Sequence, residues 1–288
     1  MNILITGANG QLGRELRRVA AQSKLGDTWH FTDVEELDIC DETAVRLFVR
    51  SKGIDVIVNC AAYTNVNGAE TDADRCDLIN HRAPGILAQV ATDSFCRLVH
   101  ISTDYVFNGR HYLPYKEDDE PCPESVYGTT KLAGEQLVLA RHPQAVIVRT
   151  AWLYSPYGSN FVKTMLKLGR ERQTLGIVFD QVGTPTYAYD LALAIDTIVH
   201  SVAWVPGIYH YTDEGVCSWY DFALAIHRYA GIDTCSVRPI HTDDYPTPAR
   251  RPPFSVLDKA KIKNLYNVAV PHWTVSLRDC INRLKENE

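Results

Sequence analysis

The stretch "NILITGANGQLG", Asn2–Gly13, constrains the fold more than any other. It is an apolar strand run, a turn rich in glycine and the start of an amphipathic helix. Gly7, Gly10 and Gly13 stand at a G-x-x-G-x-x-G spacing. Gly7 lets the chain turn tightly out of the strand. Gly10 leaves room for a pyrophosphate against backbone amides, and Gly13 lets the helix pack close to the sheet. The helix N-terminus then faces the phosphates with unpaired N–H groups and a favourable dipole. The spacing departs from the commoner G-x-G-x-x-G fingerprint, but its strand–turn–helix setting makes a dinucleotide site the expectation rather than packing alone.

Further strands read at "WHFTD", "DVIVNCAA", "RLVHIST" and "AVIVRTAW", with amphipathic helices between them. The helices are placed at "DETAVRLFVRSK", near Asn80–Ser94 and from about Tyr127. This alternation builds a Rossmann-like parallel sheet with helices on both faces. The pattern then loosens. Helices are expected near Asn160–Arg172, Tyr189–Val202 and Val275–Lys285, and around "SWYDFALAIHRYAG". The reading is α/β, with residues 1–152 as the dinucleotide-binding domain and a returning segment around 180–205. Residues 153–179 and 206–288 form a smaller, discontinuous α/β substrate-binding domain.

With 288 residues the chain can hold one large core or two domains sharing a cleft. A formal net charge of -6 provides no broad basic field for nucleic acid or an anionic membrane. The eight cysteines form no CxxC pair and several sit in apolar runs, which reads as reduced core thiols, although an even count also permits disulfides. No signal peptide or membrane-spanning run is read, so the expectation is a cytoplasmic protein.

Asp33 ends the second strand twenty residues beyond Gly13, where a carboxylate can accept hydrogen bonds from an adenosine ribose. That favours NADH, while Arg14 offers a counter-charge for a 2′-phosphate, so NADPH stays open. Asp38 and Ile39 suit an adenine, and "CAAY", Cys60–Tyr63, passes the nicotinamide side of the pyrophosphate. In "CPESVYGTTKLAGE", Tyr127 and Lys131 lie one turn apart on one helix face. An ammonium beside a phenol stabilises phenolate and lowers the tyrosine pKa. Thr103, at the end of the fourth strand, is placed to orient a substrate oxygen. An isolated Y-x-x-x-K is commonplace. Combined with the glycine turn, it reads as a carbonyl-reducing set in which Tyr127 delivers the proton.

"NILITGANGQLG", "STDYVF", "VYGTTKLAGE", "RTAWLY", "NFVKTML", "DQVGTPT" and "YPTPARRP" occur in this order from end to end of the chain. With these motifs the chain resembles the dTDP-4-dehydrorhamnose reductase family, within the extended short-chain dehydrogenase/reductases. The first three motifs are shared with several sugar-nucleotide enzymes, and the later four are more specific. The resemblance implies reduction of dTDP-6-deoxy-L-lyxo-4-hexulose to dTDP-L-rhamnose with NADPH or NADH. It assigns Thr103, Tyr127 and Lys131 to catalysis. Gly7, Gly10, Gln11, Leu12, Asp38, Ile39, Ala61, Ala62 and Tyr63 go to the cofactor. Asp104 and Trp152 face the sugar, and Asn160 and Phe161 neighbour the base or diphosphate. Arg250 and Arg251 are the diphosphate ligands it favours, because a planar guanidinium binds two oxygens at once.

Two departures stand out. Members often carry "VDKAE" where this chain has "VNGAE", Val66–Glu70, which alters the expected substrate rim. Some members dimerise through magnesium held by glutamates. Glu15 matches one such position, but Tyr189 and Arg283 occupy the others, so no bridging metal and a monomer or weak homodimer are expected. A sugar-nucleotide 4-epimerase with tightly held NAD and a non-enzymatic subunit of the same fold are the alternative readings.

Overall fold

The computed structural model describes residues 1–286. Six parallel strands form the main sheet, in the order Gly207–His210, Val146–Thr150, Arg97–Thr103, Val56–Asn59, Asn2–Thr6, Thr28–Thr32. The strand runs are apolar at successive positions because both faces are covered. Ile3, Ile5, Val56, Val58, Val99, Val146 and Val148 point to one face, which helices Gln11–Gln22 and Ala188–Val199 cover through Leu12, Leu16, Val19, Leu191 and Ile195. Leu4, Ile57, Leu98 and Ile147 point to the other, against helices Glu42–Lys52, Ala83–Asp93 and Val126–Arg141.

The chain order reverses between the first and third strands, which are neighbours. The strand carboxyl ends there leave the crevice in which open α/β sheets bind ligands.

The second lobe is built from helices Phe161–Glu171, Trp219–Ala230 and Trp273–Glu286 around Val162, Met165, Phe222, Ile226 and Leu277. Three small sheets complete it, among them the pairing of Leu153–Tyr154 with Thr186–Tyr187. A second pairs Thr174–Val178 with Ser236–Ile240, and the third has the order Cys217–Ser218, Val182–Gly183, Phe254–Ser255. Asn160 and Ser218 cap two of the helices, the latter in a reciprocal capping box with Asp221.

The large sheet takes more of the second half than the 180–205 segment. Strand Gly207–His210 lies in the range assigned to the smaller domain, yet it pairs with Val146–Arg149. Helix Ala260–Tyr266 packs beside it, burying Ile262 and Tyr266 in the same core. An apolar edge beside Val146–Thr150 is available to any following strand, and sequence spacing alone does not say which lobe that strand joins. The eight cysteines are free thiols. Among the described residues no helix is long and apolar enough to cross a membrane.

Candidate active site

A cleft of about 960 Å³ opens over the carboxyl ends of the strands. It is lined by Gly7, Gly10, Gln11, Leu12 and Gly13 after strand Asn2–Thr6, by Asp33, Asp38 and Ile39 after Thr28–Thr32, by Cys60, Ala61 and Ala62 after Val56–Asn59, by Thr103 and Asp104 at the end of Arg97–Thr103, by Tyr127 and Lys131 on the helix Val126–Arg141, and by Trp152.

The glycine turn fits a pyrophosphate. Gly7 sits at φ +64°, and a Cβ there would stand 2.6 Å from the Ala61 nitrogen. The following helix starts on Gly10 with no side-chain cap, which leaves its first amides for a ligand. Asp33 is held in place: its Oδ2 accepts from the Asn9 amide at 2.9 Å and its Oδ1 from the Val34 amide at 2.9 Å. Arg14 donates from Nε to the Asn9 carbonyl at 3.0 Å, beside the same corner.

The helix Val126–Arg141, which carries Tyr127 and Lys131, is anchored at its start. Ser125 Oγ accepts from the Gly128 amide at 3.1 Å, and Glu70 Oε1 accepts from the Val126 amide at 2.9 Å. The "VNGAE" segment therefore acts on the helix that carries Tyr127, in addition to lining the rim through Val66. Below the helix, Glu135 forms a buried ion pair with Arg149, Nη2 to Oε2 at 2.7 Å, and accepts a hydrogen bond from Ser102. This pair ties the helix to the two strands beneath it.

Thr103 caps a short turn, accepting from the Tyr105 amide at 3.2 Å and donating to Asp104 Oδ1 at 3.0 Å. Tyr127 packs edge-on against Tyr105, with ring centroids 5.4 Å apart. Its phenol lies above the ordinary range because burial penalises phenolate, although the Thr103 hydroxyl opposes the rise and Asp104 and Tyr105 add to it. This is the reverse of the lowering expected from Lys131. The Lys131 ammonium is itself buried and donates to the Ile101 carbonyl at 2.6 Å. Burial lowers its pKa to about 8, against the opposing pull of Glu135. Thus the phenol rests in its neutral form, which is the form that donates a proton.

Asp104 is buried, and burial pushes its carboxyl up to about 7, against the opposing influence of the Thr103 hydroxyl, which donates to it, the Ser255 hydroxyl and nearby backbone amides. The folded protein then binds a proton that the unfolded chain has released, between the ordinary value near 3.8 and 7. Stability falls as pH rises through that window, and the deficit is fully present above 7. Asp104→Asn should therefore melt above the wild type at pH 8, by on the order of 1–3 kcal/mol. The difference should shrink toward pH 4, and a gap independent of pH would contradict this account of the carboxyl.

Other expected residues stand differently. Asn160 Nδ2 donates to Gln11 Oε1 at 2.8 Å, so it joins the second lobe to the glycine turn. Phe161 packs against Trp219 and Phe222 in the lobe core. Tyr63 is outside the cleft lining, its backbone clamped by Asn80 at 2.9 and 3.0 Å. Arg250 is exposed and pairs with Glu124 at 2.9 Å. Arg251 keeps a buried Nε without a hydrogen bond among the described residues and lies near Tyr105. Arg75, Leu78 and Ile79 also line the cleft. Sequence reading missed them because they lie on short helical pieces, Ala73–Asp77 and Leu78–Arg82, too brief to show a period.

Glu15, Tyr189 and Arg283 lie away from the cleft. The buried Glu15 carboxylate stands 3.6 Å from Arg18, whose guanidinium covers the Tyr189 ring at 3.8 Å. Among the described residues no cluster of His, Cys, Asp and Glu has the arrangement of a metal site.

The family model for the "RmlD substrate binding domain" matches residues 1–286. A crystal structure of a dTDP-4-dehydrorhamnose reductase from Clostridium acetobutylicum ATCC 824 is 44% identical and superposes with a TM-score of 0.94, covering 99% of this chain and 100% of that one. A dTDP-4-dehydrorhamnose reductase from Bacillus anthracis str. Ames, solved in complex with NADP, is 37% identical, with a TM-score of 0.93 over 98% of this chain and 99% of that one. A dTDP-4-dehydrorhamnose reductase of Mycolicibacterium smegmatis is 43% identical over 281 residues, 97% of this chain and 84% of its own length.

Proposed function

The chain belongs to the dTDP-4-dehydrorhamnose reductase family, and from that premise we propose that the cleft binds a reduced nicotinamide dinucleotide and a dTDP-sugar side by side. The protein is an NAD(P)H-dependent oxidoreductase that reduces dTDP-4-dehydrorhamnose to dTDP-L-rhamnose. The observation that carries this reading is the placement of Thr103, Tyr127 and Lys131 in the same cleft as the glycine turn.

Bound there, the reduced nicotinamide supplies a hydride to the C4 carbonyl carbon of the sugar. Charge then develops on the carbonyl oxygen. Thr103 and Tyr127 hold that oxygen by hydrogen bonds, and Tyr127 gives it a proton as it becomes an alcohol. The neutral phenol suits the task, because an alkoxide is a stronger base than phenolate. Lys131 turns from Ile101 toward the ribose hydroxyls and keeps positive charge beside the phenolate that proton transfer leaves. Asp104 and Trp152 meet the sugar, and Arg250 and Arg251 take the diphosphate, which requires Arg250 to leave Glu124. Gln11, Leu12, Asp38, Ile39, Ala61 and Ala62 belong to the cofactor side, and Tyr63, which is outside the cleft lining, does not join them.

Dialysed protein supplied with dTDP-4-dehydrorhamnose should oxidise one reduced nicotinamide per sugar turned over. An epimerase would return its hydride, so sugar conversion without net cofactor oxidation would overturn the reductase reading. Asp33 supports use of NADH through the ribose 2′-hydroxyl. Replacing Asp33 with Asn should move the ratio of kcat/KM values toward NADPH by roughly tenfold. An unchanged ratio would remove Asp33 from recognition of that hydroxyl.

A further inference from the structure

The sugar-side wall of the cleft is built in an unusual way. Trp152 lines the cleft, and its backbone sits at φ +49°, a conformation that bulky residues rarely adopt. Such strain persists only where the surroundings fix it. Two features do so here. The Trp219 ring stacks on the Trp152 ring with centroids 3.5 Å apart and planes 10° from parallel. Gly183 closes against the same indole: a Cβ there would stand 2.7 Å from Trp152 Cε2 and 2.9 Å from Cζ2.

Both features come from one small sheet. Cys217 pairs with Gly183, Ser255 pairs with Gly183 from the other side, and Trp219 follows Ser218 directly. A Cβ on Gly183 would also come within 2.7 Å of Ser255 Oγ on the neighbouring strand. Trp219 is backed in turn by Phe161, with centroids 4.7 Å apart, and it does not line the cleft. The second lobe thus reaches the cleft through a stack whose inner ring is Trp219 and whose outer ring is Trp152.

We infer that Trp219 is a positioning residue for sugar recognition, holding the Trp152 indole in its strained pose with Gly183 as the close-packed stop. An indole offers a flat apolar face to the methyl group of a deoxysugar and one N–H donor to a hydroxyl. Fixing the ring beforehand removes the cost of ordering it when the sugar binds. The inference rests on the reductase reading for the identity of the sugar.

The test compares calorimetric titrations of dTDP-L-rhamnose and of dTDP, which lacks the sugar, on the wild type, Trp219→Ala, Trp219→Phe and Gly183→Ala. Circular dichroism follows the exciton couplet of the two stacked indoles. Trp219→Ala should lose the couplet and bind dTDP-L-rhamnose about tenfold more weakly, with dTDP and reduced cofactor bound as before. Trp219→Phe should also lose the couplet but recover most of the affinity, because a flat ring remains. Gly183→Ala should weaken dTDP-L-rhamnose alone, by pressing on the same indole. A Trp219→Ala protein that loses the couplet yet binds both ligands like the wild type would overturn the inference, and so would an equal loss for dTDP. If Trp219→Ala does not fold, Gly183→Ala decides, and unchanged affinity there overturns it. Failure of the wild type to turn over the keto sugar would refute the reductase reading instead, which this titration does not measure.

Discussion

Tyr127→Phe should fold, bind the reduced dinucleotide as the wild type does and reduce the keto sugar roughly 100-fold or more slowly. The phenyl ring keeps the edge contact with Tyr105, so packing changes little. What disappears is the one neutral hydroxyl on the helix that faces the cleft beside Thr103. Burial raises the pKa of that phenol above its ordinary value, which favours the neutral, proton-donating form. A drop of only a few-fold in kcat, in a variant with an unaltered melting curve, would assign proton delivery elsewhere.

Lys131→Met should cost a comparable factor in kcat, roughly 50-fold or more, and should also raise the KM for reduced cofactor. The two losses have different origins. In the proposed mechanism one is the charge beside phenolate, and the other is the contact with ribose. Stability should move the opposite way from activity. The folded protein releases the Lys131 proton near 8, below the ordinary 10.5 of an unfolded chain, so stability rises with pH between those values. Below 8 the cost of the buried ammonium is fully present, and Met removes it. Lys131→Met should therefore melt no lower than the wild type at pH 7, as expected where function is bought with stability. A sharp fall in melting temperature would mean that the bond to Ile101 outweighs the desolvation cost.

Much of this site was legible in the sequence because it lies on regular elements. Gly7, Gly10 and Gly13 follow an unambiguous apolar strand. The Tyr127–Lys131 spacing fixes a shared helix face wherever the helix goes. Thr103 ends a strand whose carboxyl end had to meet the crevice. What stayed hidden depends on tertiary context. Nothing in "GIYHYTD" says that Gly207–His210 extends the large sheet, because an edge strand carries no mark of its neighbour. The spacing alone predicts that Lys131 lowers the Tyr127 pKa, whereas burial raises it, and burial is a property of the fold. The departure at Asn67 and Gly68 points only to the substrate rim, and the bond of the neighbouring Glu70 to the Val126 amide joins residues far apart in sequence. The stack of Trp152 on Trp219 joins two lobes and leaves no periodic trace.

The most direct measurement of the central claim follows a label. Reduced dinucleotide dideuterated at the nicotinamide C4 is mixed with dTDP-4-dehydrorhamnose and the wild type or Tyr127→Phe protein, and the sugar product is examined by NMR. The account predicts dTDP-L-rhamnose with a single deuterium at C4, one dinucleotide oxidised per sugar, and the same product formed at least about 100-fold more slowly by Tyr127→Phe. Product without deuterium at C4, no turnover by the wild type, or near-normal turnover by a folded Tyr127→Phe would contradict it.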